Sequence, residues 1–193
     1  MIIVFEGGDQ AGKKTQSALL QRKLKSAKIK ETVFSFPDYS TPIGKEISKY
    51  LHGKRKFPPQ VIHCLLAANR WEKLDEIKKA QQKNSIVIMN RYSESNLVYG
   101  LVNGLKLDWL ENLDFGLPKS DLVILLDVPQ IESFSRKRSN RDRFEKDKNF
   151  AIKISKTYRK IAVKKRWRIV DATKSKQAVH EDIMKIFRKK IGI

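Results

Sequence analysis

Five short apolar runs punctuate the chain, at residues 2–5, 32–36, 86–89, 122–127 and 167–170, with helical spacing of apolar positions between them. Runs that are apolar throughout, rather than alternating, suit strands buried on both faces. After the first run a glycine-rich turn gives way to a helical pattern with Leu20, Leu24 and Ala27 on one face. Further helices are predicted at 44–51, 59–83, 93–102 and 148–163, the second as one long amphipathic helix. Val179, Ile183 and Phe187 mark a terminal helix. Strands alternating with helices predict a doubly wound α/β fold, a five-stranded parallel sheet flanked by helices.

A chain of 193 residues with 40% hydrophobic content is long enough for one domain, spanning 1–193, with a proper core. Its single cysteine, Cys64, lies among Leu65, Leu66, Ala67 and Ala68 and is expected to be a small core residue in a reducing compartment. Neither a signal-peptide core nor a membrane-length apolar stretch occurs, so a cytoplasmic location is expected. Charge changes this picture more than composition does. There are 41 Lys and Arg against 21 Asp and Glu, a net +20, which points to a polyanionic partner. The basic residues are spread along helices without interleaved aromatics, which disfavours nucleic acid and favours a lysine-rich solvated surface. Residues 136–143 are denser, with Arg136, Lys137, Arg138, Arg141 and Arg143.

The candidate chemistry begins at Gly7, Gly8, Asp9, Gln10, Ala11, Gly12 and Lys13, a Walker A-like loop between the first strand and a helix. Its backbone N–H groups and the helix N-terminus suit phosphate oxygens, and Lys13, expected to be reachable from solvent, suits the outer phosphates. The next position calls for a Ser or Thr hydroxyl to bind Mg²⁺, and here stands Lys14. Thr15 follows one residue later, turned about 100° around the helix, and does not substitute.

Several further segments resemble the thymidylate kinases, P-loop nucleoside monophosphate kinases. They are residues 36–44 opening Phe36-Pro37-Asp38, Ala68-Asn69-Arg70-Trp71-Glu72, Asn90-Arg91-Tyr92, residues 116–122, and Asp171-Ala172-Thr173 with residues 179–183. The resemblance implies ATP-dependent phosphorylation of dTMP to dTDP in deoxynucleotide biosynthesis, with a homodimer to which the 59–83 helix could contribute. It implies an ATP site of Gly7, Gly8, Gln10, Ala11, Gly12, Lys13, Lys14, Thr15 and Arg136, with adenine near Arg136 and residues 171–174. It implies a dTMP site of Asp9, Phe36, Leu66, Arg70, Arg91, Ser95 and Tyr99. Arg70 would read the base, Arg91 would hold the acceptor phosphate, Asp9 would bind the sugar 3′-hydroxyl and Tyr99 would pack beside the deoxyribose. The eukaryotic type of the family usually has an Arg in the loop where this chain has Gln10. A basic lid at about 132–148 is therefore expected to supply the charge, through Arg143 first and Arg138 second, so that Lys13, Arg91, Arg143 and Arg138 form the catalytic set.

This sequence also departs from the family at Lys14, at Tyr39 (usually Arg), at Leu66 (usually Phe) and at Asn90 (usually Asp). Mg²⁺ is accordingly expected to be held mainly by ATP phosphates and water, with no metal ligand from the chain. The departures leave two other readings open: a catalytically weakened nucleotide-binding homologue, and a kinase with altered nucleoside monophosphate specificity.

Overall fold

The computed structural model describes residues 1–83, 85–129 and 147–192. Arg136, Arg138, Arg143 and nearly all of the expected lid lie outside the described residues. Strands β1 (Ile2–Glu6), β2 (Glu31–Ser35), β3 (Ile86–Asn90), β4 (Leu122–Asp127) and β5 (Arg168–Asp171) form one sheet in the order β2-β3-β1-β4-β5. Every neighbouring pair is parallel, as the continuous apolar runs predict.

The central strand shows why. Ile3 and Phe5 pack into a cluster with Leu20, Leu24, Val179, Ile183 and Phe187, from helices α1 (Lys13–Ser26) and the last helix, Lys176–Ile191. Ile2 and Val4 alternate to the other face and meet Ile77, Met89 and Tyr92. Each side chain so buried contributes roughly 1.5–3 kcal/mol, and neither face of β1 reaches solvent.

The remaining helices are α2 (Pro42–Leu51), α3 (Pro59–Trp71), α4 (Leu74–Gln82), α5 (Ser93–Val102), α6 (Leu107–Leu113) and α7 (Lys148–Lys164), which makes the last helix α8. Two expectations are corrected here. The segment 59–83 is two helices, broken at Glu72 and Lys73. No Gly or Pro marks the break. The Glu72 carboxylate accepts from Thr41 Oγ1 (2.6 Å) and Asn69 Nδ2 (2.9 Å), and Lys73 pairs with Asp38 (3.2 Å), so contacts to a distant segment set the end of α3. Cys64 is exposed rather than core. The buried face of α3 carries Ile62, His63, Ala67, Asn69 and Arg70, and apolar sequence neighbours do not fix a residue's face when each step turns about 100°.

In a sheet of this order, the loops leaving the carboxyl ends of β1 and its neighbours surround a crevice, where such folds bind ligands. The residues 7–12, Arg91 and the turn after β5 all follow strand ends there.

Candidate active site

A cleft of about 950 Å³ opens at these strand ends. Its lining includes Asp9, Gln10, Ala11, Gly12, Lys13, Lys14 and Thr15 from the loop and first turn of α1. Phe36, Leu66, Arg70, Arg91, Ser95 and Tyr99 complete the opposite end. Gly7 and Gly8, which open the loop, are not among the residues lining the cleft. A Cβ on Gly7 would sit 2.5 Å from the Leu126 carbonyl oxygen, and its φ of 143° is closed to most other residues, so β4 and the loop approach this closely only with glycine there.

At the loop end, Lys13 is 8% exposed, buried rather than open to solvent as its role suggested. Its Nζ donates to the carbonyls of Gly7 (3.0 Å) and Gly8 (2.7 Å), folding the stem along the loop. Gly12, with φ 93°, caps α1 without a side-chain hydrogen bond, and the first turn holds no acid. The first N–H groups of α1 are therefore left for an anion.

At the other end, Arg91 leaves β3 with φ 65°, a backbone state that is rare outside glycine and concentrated at functional sites. Its Nη2 donates to Asp9 Oδ1 at 2.5 Å, and its Nη1 to Ser95 Oγ (3.1 Å) and Tyr158 OH (3.2 Å). Both hydroxyls then donate to Glu6 Oε2, at 2.7 and 2.8 Å, while Glu6 Oε1 accepts the backbone N–H groups of Tyr92 and Ser95. The guanidinium also lies over the Tyr99 ring, 5.4 Å from its centroid. Burial of Asp9 works against its charge but is outweighed by Arg91 and Lys13, so its carboxyl titrates below the usual range.

Arg70 is nearly enclosed. Its Nε and Nη2 make a bidentate pair with Asp114 at 2.8 Å each, leaving Nη1 as the part of the fork without an acceptor among the described residues. Asn96 also lines the cleft, its Oδ1 2.6 Å from Nδ1 of buried His63. Burial holds His63 below its ordinary pKa, and its neutral ring bridges Asn96 and Asn103. Sequence reasoning singled out neither Asp114, Glu6, Tyr158 nor the His63–Asn96 pair. Of these, only Glu6 carries a local signal, a lone carboxylate between an apolar strand and the glycine-rich loop.

A family model for thymidylate kinase matches residues 5–183. Thymidylate kinase of Plasmodium falciparum is 39% identical over 185 residues, covering 95% of this chain and 87% of that protein. The human enzyme is 36% identical, covering 94% and 87%. The chain belongs to the thymidylate kinase family. Its fold superimposes on a Candida albicans thymidylate kinase with a TM-score of 0.88 at 32% identity, covering 97% of this chain and 91% of that one.

Thymidylate kinases use ATP as phosphate donor, and the family's P-loop motif implies Mg²⁺ beside it. The residues present here do not fit a protein-held Mg²⁺. Lys14 is exposed on the cleft wall where the motif calls for a hydroxyl, and an ammonium about 4 Å from a divalent ion is repelled by on the order of 8 kcal/mol at an effective dielectric near 20. Asn90 offers an amide in place of a carboxylate, and its buried Oδ1 has no hydrogen-bond partner. Among the described residues, no group of three or more His, Cys, Asp or Glu side chains is placed to hold a metal ion.

Proposed function

We propose that this chain transfers the γ-phosphoryl group of ATP to dTMP, giving ADP and dTDP. An oxygen of the dTMP phosphate attacks the γ-phosphorus, the bond to the ADP oxygen breaks, and no covalent enzyme intermediate forms. The observation that carries this reading is one continuous cleft with Lys13 in its loop end and the Asp9–Arg91–Tyr99 cluster in the other. Lys13 and the loop amides hold the donor phosphates. Arg91 holds the acceptor phosphate, Arg70 Nη1 faces the base, and Phe36 and Leu66 flank it. Asp9 orients Arg91 before substrate arrives and shares its carboxylate with the sugar 3′-hydroxyl afterwards. Arg143 first and Arg138 second supply the closing positive charge, and Arg136 lies near the adenine. Any Mg²⁺ accompanying ATP would find no ligand on the described residues of the chain.

A homodimer and a cytoplasmic location go with this reading. Val61, Cys64 and Trp71 are exposed along one side of α3, and a second copy of the chain could cover them. Among the described residues, no helix is long and apolar enough to cross a membrane.

The test is ADP release across a panel of nucleoside monophosphates. The expected result is the highest kcat/KM with dTMP. Preference for a different base would move the reading to another acceptor, and binding of ATP and dTMP without turnover would make the protein a nucleotide-binding homologue.

A further inference from the structure

The charges around the cleft are one-sided. Among the described residues, Lys13, Lys14, Arg70, Arg91, Lys174 and Lys176 line it, against the single carboxylate of Asp9. That carboxylate already accepts from Arg91 and Tyr99. Arg70 is engaged by Asp114, and Lys174 by Asp182 at 2.8 Å. Lys14 is different. It is exposed, and no acceptor meets its ammonium among the described residues. It also stands in the first turn of α1 directly after Lys13, where the positive end of the helix dipole disfavours a cation and no acid offsets it. A local arrangement that works against folding is expected where function requires it, and an incoming polyanion removes the conflict. Asn90, at the end of β3 beside β1, brings no negative charge to cancel the lysines.

Resting on the reading of this cleft as a kinase's nucleotide site, we propose that Lys14 takes over the phosphate neutralisation that a protein-held Mg²⁺ supplies in other P-loop enzymes. This chain then binds nucleoside di- and triphosphates with little dependence on the metal. An ammonium donating to a phosphate oxygen makes a charge-assisted hydrogen bond, which needs no carboxylate or hydroxyl from the protein.

The experiment is calorimetric titration of the whole chain with ADP, in Mg²⁺ and in EDTA, with dTMP titrated alongside. For the wild type, the two ADP dissociation constants are expected to agree within about threefold, and Lys14→Met should weaken ADP in EDTA by about tenfold, the scale of one charge-assisted bond. Lys14→Arg should retain metal-free binding, while Lys14→Ser with Asn90→Asp should gain a metal dependence of about tenfold or more. Unchanged dTMP affinity in the variants shows that each cleft is intact. A wild type that loses ADP affinity about tenfold in EDTA, or a Lys14→Met indistinguishable from it there, overturns the proposal while leaving the kinase reading standing. Failure of the wild type to bind ADP under either condition sinks both.

Discussion

The two ends of the cleft handle positive charge in opposite ways. At the end proposed to hold the acceptor each arginine has a carboxylate of its own, Arg91 with Asp9 and Arg70 with Asp114. At the loop end Lys13 leans on the backbone carbonyls of Gly7 and Gly8, and Lys14 is exposed on the cleft wall with no acceptor for its ammonium among the described residues. Paired charges fix geometry before a ligand arrives, because the guanidinium is held by several directional bonds. An exposed charge such as Lys14 instead keeps its attraction for an incoming polyanion. A small monophosphate that must be aimed suits the first arrangement, and a highly charged triphosphate suits the second.

Removing a charge at the loop end tests that contrast most severely. Lys13→Met keeps much of the buried stem and deletes the ammonium, and turnover is expected to fall by about 10³-fold, the upper range for losing one preorganised donor. A steady-state ADP-release assay measures it, and far-UV circular dichroism should show an unchanged fold. Turnover within about tenfold of wild type would mean that the loop lysine does not meet the transferring phosphoryl group.

At the acceptor end the expected losses are in stability, and the two pairs should differ. The Arg70 and Asp114 side chains are 3% and 9% exposed, against 15% and 31% for Arg91 and Asp9. Asp114→Ala strands a buried guanidinium and should lower unfolding free energy by about 3 kcal/mol. Asp9→Ala should cost about 1 kcal/mol, because Arg91 keeps Ser95, Tyr158 and Tyr99. Urea unfolding of both variants decides it, and equal losses would erase the distinction between the two pairs.

The sheet was legible in the sequence because a strand buried on both faces writes itself as an unbroken apolar run, and β4 matches that run at 122–127. The loop was legible because its chemistry is local, with glycines and Lys13 within a few residues of each other. The acceptor end was legible only in part. Arg70 stood out by resemblance, but its partner lies 44 residues away in a stretch with no motif, and α6 just before it is too short for periodicity to mark. Glu6 and Tyr158 meet across 152 residues, and on α7 that tyrosine follows the same buried spacing as Ile154 and Ile161. Polar networks between elements depend on how helices are rotated, and hydrophobic period alone sets that only approximately.

Glu94 supplies a third case, a buried carboxylate facing another carboxylate instead of a cation. It lies in the first turn of α5, 6% exposed, and accepts from Ser120 Oγ (2.5 Å) and Ser93 Oγ (3.2 Å). Burial, with the nearby Glu6 carboxylate adding to it, pushes its pKa from 4.5 up to about 6, against the opposing pull of the serine hydroxyls. The folded protein therefore holds this proton more tightly than the unfolded chain. The associated stability is fully present below about pH 4.5 and is lost as pH rises through about 6. The difference corresponds to about 2 kcal/mol between roughly pH 4 and 7.5. Glu94→Gln keeps the shape and an acceptor oxygen but cannot ionise. Its stability relative to wild type should thus improve by about that amount across the interval, read from urea midpoints at each pH. A constant difference between the two proteins at all pH values would mean that Glu94 titrates like an exposed acid, and that the hydroxyls of Ser93 and Ser120 fully compensate its burial.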